Sequence, residues 1–140
     1  MSKGMEFLCA FGQRFLRGLP QLDPVLDAFA ASILTLCDQY DTLVANAILA
    51  SILDFINGTC METEVKSATL IRDAARFPWY LRDLTGIGKA YAFGAFPKSR
   101  KIAMTNYIQA VSDMNYWIVG VNDLLSSVSF YNLASRVCIT

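Results

Sequence analysis

The chain has 140 residues, of which 54% are hydrophobic, and its twelve basic residues balance its twelve acidic ones. This length suggests one domain or part of one, the apolar share excludes a disordered chain, and the lack of a basic stripe argues against a nucleic-acid partner. Because the chain contains no histidine, a Ser-His-Asp or Cys-His catalytic site cannot be built from it.

Helical periodicity begins near the N-terminus. Phe7, Leu8, Phe11 and Phe15 recur on one side of a helix predicted over roughly residues 5–17. The stretch that follows, "GLPQLDP", interrupts the chain. A second helix is predicted from Asp23-Pro24, which is typical of an N-cap residue followed by proline in the first helical turn.

Two apolar runs follow, at residues 25–37 and 43–55. They predict either two helices that meet near residues 38–41 or one bent helix. "NGTC" at residues 57–60 marks a possible helix end, although a glycine can also lie inside a helix at a cost of about 1 kcal/mol.

The most apolar window, residues 42–53, is bounded by Asp41 and Asp54. A membrane span needs roughly 20 residues, so this window predicts a buried helix and no membrane span. Charges within the first apolar run argue against a signal peptide and predict a cytoplasmic location. The four cysteines are widely spaced, which predicts free, mostly buried thiols and no zinc site.

The C-terminal half is predicted to contain two further helical regions after the most polar stretch, residues 62–77, which is predicted to contain a loop. Pro78 can begin a helix, Gly86 and Gly88 would interrupt it, and Pro97 would end the segment. Ser99 is predicted to cap a long helix that reaches about residue 127. We therefore predict an all-α chain of five or six helices.

Asn122 and Ser126 stand out on that long helix because they interrupt an otherwise apolar stretch. Their i, i+4 spacing places both side chains on one helix face, one turn apart. Two neutral oxygen ligands in this arrangement suit a hard cation such as Mg²⁺. Taken alone, the pair is more often a solvated edge or a satisfied buried pair.

The string around this pair, "WIVGVNDLLS", resembles the second metal-binding motif of class I terpene cyclases, Asn-Asp-x-x-Ser-x-x-x-Glu. Three segments together are similar to the trichodiene synthase family of fungal sesquiterpene cyclases, in the same order and at nearly the same spacing: "ILDFINGTCMETE" (52–64), "FPWYLRDLTGIG" (77–88) and "MNYWIVGVNDLLS" (114–126). The resemblance extends from about residue 5 to residue 126. It implies an incomplete helical bundle of the class I terpene synthase type.

The resemblance also implies a function, namely ionising farnesyl diphosphate with Mg²⁺ and cyclising the resulting cation. Asn122 and Ser126 match the first two Mg²⁺ ligands of the motif, and Arg82 matches the arginine with which the family senses diphosphate. Asp123 matches the second letter of the motif but is not expected to bind metal. The simpler interpretation of Arg82 is an exposed charge paired with Asp83 or Asp73.

The sequence also departs from the family pattern. Phe130 stands where the third metal ligand should be glutamate, and Ser129 stands where the family has lysine. The upstream aspartate-rich motif and the later Arg-Tyr pair are expected to lie outside the chain. We therefore predict a partial terpene synthase domain at 1–127 and a non-homologous tail at 128–140, which intron read-through would explain if GTAAGT encodes Val128-Ser129.

Two alternatives remain open at this point. The chain could be a catalytically inactive all-α binding or interaction protein, or a helical protein of the membrane surface, although zero net charge argues against the latter. The expected partners are farnesyl diphosphate and, for a homodimer, a second copy of the chain. A partial bundle would also expose apolar faces and associate.

Overall fold

The computed structural model describes residues 2–66, 68–69, 71 and 73–137, with side chains through residue 125. Over these residues the chain forms six α-helices and two short 3-10 turns, at Lys98–Arg100 and Met104–Asn106. The α-helices are α1 (Lys3–Leu16), α2 (Pro24–Cys37), α3 (Thr42–Val65), α4 (Phe77–Thr85), α5 (Gly88–Gly94) and α6 (Ile108–Val137). No strand occurs in this part of the chain, and the all-α prediction is confirmed.

The predicted start of α2 is confirmed by its cap. The Asp23 side chain accepts a hydrogen bond of 2.8 Å from the amide of Val25, and Pro24 occupies the first helical position. Residues 38–41 separate α2 from α3, so the two apolar runs form two helices and not one bent helix. Tyr40 in this connection donates its hydroxyl to the carbonyl of Gly94, at 2.9 Å, and thereby ties it to α5.

The core is organised around α3, against which α1, α2, α4 and α5 all pack. Its buried residues Val44, Ile48, Ile52 and Ile56 recur every four positions and so project from one helix face. The other buried members of this cluster are Phe11, Ile33, Ala92, Tyr107 and Val111. Within the described residues α3 alone is long and apolar enough to cross a membrane, but its apolar stripe is used in this core.

Gly58 lies inside α3 and does not end it. A Cβ atom at this position would lie 2.7 Å from Cβ of Leu84 and 3.0 Å from Cγ2 of Thr85. Glycine is therefore required here because α4 crosses α3 at van der Waals contact. Of the two interpretations of "NGTC", a helix end is excluded and a glycine inside the helix is confirmed, since close packing outweighs the low helix propensity of glycine.

The long C-terminal helix begins at Ile108, and the prediction that Ser99 caps it is wrong. Lys101 adopts a left-handed conformation with φ of +52°, and Ala103 is extended, so the helical backbone cannot run through this stretch. Phe96 and Tyr107 stack across it with ring centroids 3.9 Å apart. The described helix continues to Val137.

Candidate active site

The break between α4 and α5 is held tightly against α6. A Cβ atom at Gly86 would lie 2.6 Å from Cγ2 of Val119, and one at Gly88 would lie 2.5 Å from Oδ1 of Asn115. Ile87 between them has a φ of +48°, which is unfavourable for a β-branched residue. The interruption predicted from the two glycines is confirmed, and its reason is the close approach of α6.

Arg82, in the last turn of α4, reaches across to α6. Its Nε donates a hydrogen bond of 2.9 Å to Oδ2 of Asp123, while one terminal nitrogen contacts Oδ1 of the same carboxylate. That nitrogen also donates to the carbonyl of Val119, at 3.5 Å. The Arg82 side chain is 26% exposed and that of Asp123 is 51% exposed, so the pair remains accessible to a soluble anion.

Arg82 pairs with Asp123, whereas the simpler interpretation of its charge was a pair with Asp83 or Asp73. The neighbouring Asp83 pairs with Lys89 instead, at 2.8 Å between Oδ2 and Nζ. Arg82 therefore links two helices, although it stands 41 positions before Asp123 in the chain. A two-point contact of a guanidinium with a carboxylate fixes the orientation of the guanidinium plane.

An open cavity of about 960 Å³ lies beside this ion pair. It is formed by α3, α4, the start of the connection between them, and α6. The lining residues are Phe55, Thr59, Glu62, Thr63, Val65, Lys66, Ala68, Phe77, Pro78, Leu81, Arg82, Thr85 and Asp123. Its size falls in the upper part of the roughly 300–1,000 Å³ range of small-molecule sites.

The lining combines an apolar wall with a few charges. Its cations are Arg82 and Lys66, and its anions are Asp123 and Glu62. The hydroxyls of Thr59 and the other lining threonines donate to backbone carbonyls within their own helices. Their protons are thus used inside the helices, which leaves the two cations as the strongest donors toward an anionic ligand.

Of the three residues proposed for the site, Arg82 lines this cavity. Asn122 is exposed on α6 and is not among the lining residues, and the Ser126 side chain lies outside the described part of the structure. The i, i+4 spacing along α6 still aligns the backbone positions of Asn122 and Ser126. Their role as metal ligands stays a prediction.

Asn122 and Ser126 offer a magnesium ion the type of ligand atom that it prefers, but not the negative charge that would bind it firmly. Asn122 and Ser126 supply oxygen, which Mg²⁺ prefers, but both groups are neutral. The nearest carboxylate in sequence, Asp123, is already engaged by Arg82. Across the described residues no cluster of three or more His, Cys, Asp or Glu side chains could hold a metal ion.

Sequence reasoning did not find the partnership of Arg82 and Asp123 or the contribution of Glu62 and Lys66 to the cavity. The "RD" pair at residues 82–83 and the "ND" pair at residues 122–123 contain charges of both signs. No local sequence pattern indicates, however, that a residue on α4 contacts one on α6. The packing of the α4–α5 break against α6 brings Arg82 and Asp123 into contact.

Comparison with known proteins places the chain among fungal terpene synthases. The model of the family described as trichodiene synthase (TRI5) matches residues 3–136. Terpene synthase BipA of Cochliobolus sativus is 35% identical over 125 residues, which cover 88% of this chain and 38% of that relative. Alpha-cuprenene synthase COP6 of Coprinopsis cinerea is 33% identical over 122 residues, covering 87% of this chain and 37% of the relative.

A third relative, longiborneol synthase CLM1 of Gibberella zeae, is 34% identical over 120 residues, covering 83% of this chain and 35% of the relative. The chain thus spans little more than a third of the length of these relatives. The family match continues to residue 136, whereas we predicted a domain boundary at residue 127. The boundary itself stays a prediction.

Proposed function

Because the chain belongs to the trichodiene synthase family, we propose that it is the part of a class I sesquiterpene cyclase that binds the diphosphate end of its substrate. The whole enzyme would ionise farnesyl diphosphate with Mg²⁺, cyclise the cation and release diphosphate. The observation that carries this proposal is the family match over residues 3–136. The position of Arg82 at an apolar cavity supports it.

Two physical requirements of this reaction correspond to features of the cavity. Expelling diphosphate concentrates negative charge, which a guanidinium can bind at two points. Arg82 is the group we assign to this role, with Lys66 as a second cation on the same cavity. The carbocation left behind needs aromatic groups near it, and Phe55 and Phe77 are the aromatic residues of the cavity lining.

Asp123 acts on Arg82 in this proposal. In the structure its carboxylate occupies two guanidinium nitrogens of Arg82. A diphosphate that binds Arg82 through these two nitrogens would displace the carboxylate of Asp123 from them. Asp123 is thus a positioning residue that orients Arg82 in the absence of substrate and competes with the diphosphate for it.

The family is generally dependent on Mg²⁺, and we propose that Asn122 and Ser126 contribute two oxygen ligands. When bound, the metal would neutralise charge on the departing diphosphate. Two neutral ligands hold Mg²⁺ weakly, so at least one carboxylate ligand must come from outside this pair. Phe130 occupies the motif position at which the family has glutamate.

Binding of inorganic pyrophosphate, followed by titration calorimetry, tests the diphosphate role. We expect Arg82→Ala to weaken binding about tenfold or more, since charge-assisted contacts contribute roughly 1.5–3 kcal/mol. Arg100→Ala removes an arginine from outside the cavity lining and should leave binding within twofold. Equal losses in both variants, or no binding by the unmodified chain, would contradict the proposal.

Turnover of farnesyl diphosphate is expected to be undetectable for the 140-residue chain. Phe130→Glu alone should not restore it, because one carboxylate does not supply the remaining ligands. In a chain joined to the flanking segments of a relative, Asn122→Ala or Ser126→Ala should lower activity and raise the Mg²⁺ requirement. Gas chromatography of the products measures this, and a cyclic hydrocarbon from the unmodified chain would contradict the expectation.

Association and location complete the proposal. Large aromatic side chains such as Trp79, Tyr116 and Trp117 are 71%, 78% and 68% exposed, which supports the expectation that the chain self-associates. A monodisperse monomer in sedimentation velocity would refute that expectation. A homodimer and a cytoplasmic location remain proposals, and no observation favours the alternative of an inactive binding protein.

A further inference from the structure

Ser51 on α3 is a buried polar residue that contacts α5. It is 5% exposed and is the one buried polar or charged residue among the side chains that the structure describes. Its Oγ accepts a hydrogen bond of 3.1 Å from the amide of Ala90, which lies on α5 and 39 positions later in the chain. Burying a hydroxyl costs free energy unless it is hydrogen-bonded, so this contact explains how α3 accommodates a serine here.

The hydrogen bond takes the place of a missing helix cap. Ile87 is the N-cap residue of α5, has a φ of +48°, and makes no side-chain capping bond. A serine at the N-cap would accept a hydrogen bond from the second or third amide of the helix, and Ala90 is the third residue of α5. The same amide also donates to the carbonyl of Ile87, at 3.1 Å. Ser51 therefore supplies from α3 the acceptor that Ile87 lacks, and it anchors the connection between α4 and α5.

This connection, residues 86–88, packs against the part of α6 that holds Arg82. A Cβ atom at Gly86 would lie 2.6 Å from Cγ2 of Val119, so the two backbones approach closely. The carbonyl of Val119 accepts a hydrogen bond from Arg82, and Asp123, one turn further along α6, accepts one from its Nε. A shift of the connection would move the end of α4 along α6, and the guanidinium with it.

We propose that Ser51 is a positioning residue for Arg82. Its hydroxyl fixes the start of α5, the connection carries this constraint to the end of α4, and the guanidinium is thereby held in the orientation in which it meets Asp123. Ser51 does not line the cavity, so it acts on a ligand through Arg82. The consequence for diphosphate binding rests on the function proposed above, whereas the effect on Arg82 does not.

Phenylglyoxal, which modifies arginine guanidinium groups, tests the effect on Arg82 without any ligand. Peptide mapping by mass spectrometry gives the modification rate of each arginine in the full chain. In Ser51→Ala we expect Arg82 to react about threefold faster or more, because its contacts with α6 loosen when the hydrogen bond is lost. Arg100, which lies outside the cavity lining, should react at an unchanged rate. Ser51→Cys nearly keeps the size of the side chain but provides only a weak acceptor, and it should behave like Ser51→Ala.

Ile33→Ala separates positioning from a general loss of stability. Ile33 is 2% exposed on α2, a helix that packs mainly against α3 and α1. Its substitution should lower the free energy of unfolding more than Ser51→Ala does, but leave the modification rates of Arg82 and Arg100 unchanged. Unchanged reactivity of Arg82 in both Ser51 variants, or an equal rise in Ile33→Ala, would overturn the inference.

Titration calorimetry with inorganic pyrophosphate tests the consequence for binding. Ser51→Ala should weaken binding about two- to tenfold, the range that corresponds to one net hydrogen bond, and should have no further effect in a chain that carries Arg82→Ala. Weaker binding in Arg82→Ala together with unchanged affinity in Ser51→Ala would overturn the role of Ser51 and leave the proposed function intact. If the unmodified chain does not bind pyrophosphate, the proposed function fails, and the rates of phenylglyoxal modification still decide whether Ser51 positions Arg82.

Discussion

Two faces of α3 show how one helix serves both stability and the site. The core face consists of Val44, Ile48, Ile52 and Ile56, all of which are at most 6% exposed. The cavity face consists of Phe55, Thr59, Glu62 and Thr63, which line the open cavity beside Arg82. Both faces follow nearly the same helical spacing, because residues three or four apart lie on one side of a helix.

The difference between the faces is chemical. The core face is uniformly β-branched and aliphatic, which suits close packing between helices. The cavity face combines an aromatic ring with hydroxyl groups and a carboxylate, and its packing partners leave a volume of about 960 Å³ open. Substitutions on the first face should change the free energy of unfolding, while changes around the cavity should alter ligand binding more than stability.

The largest effect is expected for the core face. Ile48 is 1% exposed, so Ile48→Ala should lower the free energy of unfolding by about 2–5 kcal/mol through lost burial and a residual cavity. Leu43→Ala, on a side chain that is 61% exposed at the start of the same helix, should stay within about 0.5 kcal/mol. Urea unfolding followed by circular dichroism measures both, and equal effects would break the comparison.

The contact between α3 and α4 comes next. In Gly58→Ala the new methyl group would overlap Cβ of Leu84, 2.7 Å away, and we expect a loss of about 1–3 kcal/mol. Gly12→Ala on α1 meets only Cδ2 of Leu53 at 3.8 Å and should gain up to about 1 kcal/mol from helix propensity. A stabilised Gly58→Ala chain would show that α4 does not depend on this close approach.

Alkaline pH probes the buried side of α3. Because burial above all raises the pKa of Cys60 to about 12, the folded state favours the protonated thiol. This stability is fully present below the ordinary cysteine pKa of about 8.5 and is lost as pH rises toward 12. The free energy of unfolding, obtained from thermal unfolding between these pH values under reducing conditions, should fall more steeply with rising pH for the unmodified chain than for Cys60→Ala.

The slope of the free energy of unfolding against pH should differ between the unmodified chain and Cys60→Ala by at most about 1.4 kcal/mol per pH unit, the value for one proton. Burial also raises the pKa of Cys37 and that of Tyr107. Both groups are present in either chain, so the comparison isolates Cys60. Parallel curves would mean that the Cys60 thiol titrates alike in the folded and unfolded states.

The smallest effect is expected at the ion pair. Asp123→Asn should strengthen pyrophosphate binding about two- to fivefold, because an exposed ion pair contributes only about 0–1 kcal/mol and Arg82 no longer has to leave a carboxylate. Asp83→Asn removes the same charge from a residue that does not line the cavity and should change binding less. Weaker binding in Asp123→Asn would show that orientation of Arg82 outweighs competition.

Features that depend on residues close together in the sequence were predicted correctly more often than features that depend on contacts between distant residues. The helix start at Asp23-Pro24 was predicted because the cap depends on residues within one turn. The interruption at Gly86 and Gly88 was predicted from the two glycines, although the close approach of α6 that requires them is not visible in the sequence. The start of the last helix was predicted wrongly at Ser99, since a local capping pattern does not show that Lys101 is left-handed. Gly58 was ambiguous because its reason, Leu84, lies on another helix.

The sequence by itself determined an all-α chain, the positions of most helices, and a resemblance that the family match confirmed. These follow from apolar periodicity, from the positions of proline and glycine, and from motifs that occur in a fixed order along the chain. Only the tertiary structure decided that Arg82 pairs with Asp123 and that α4 crosses α3 at Gly58. Each of these contacts joins residues on different helices, and their meeting depends on how the helices pack, which no local pattern encodes.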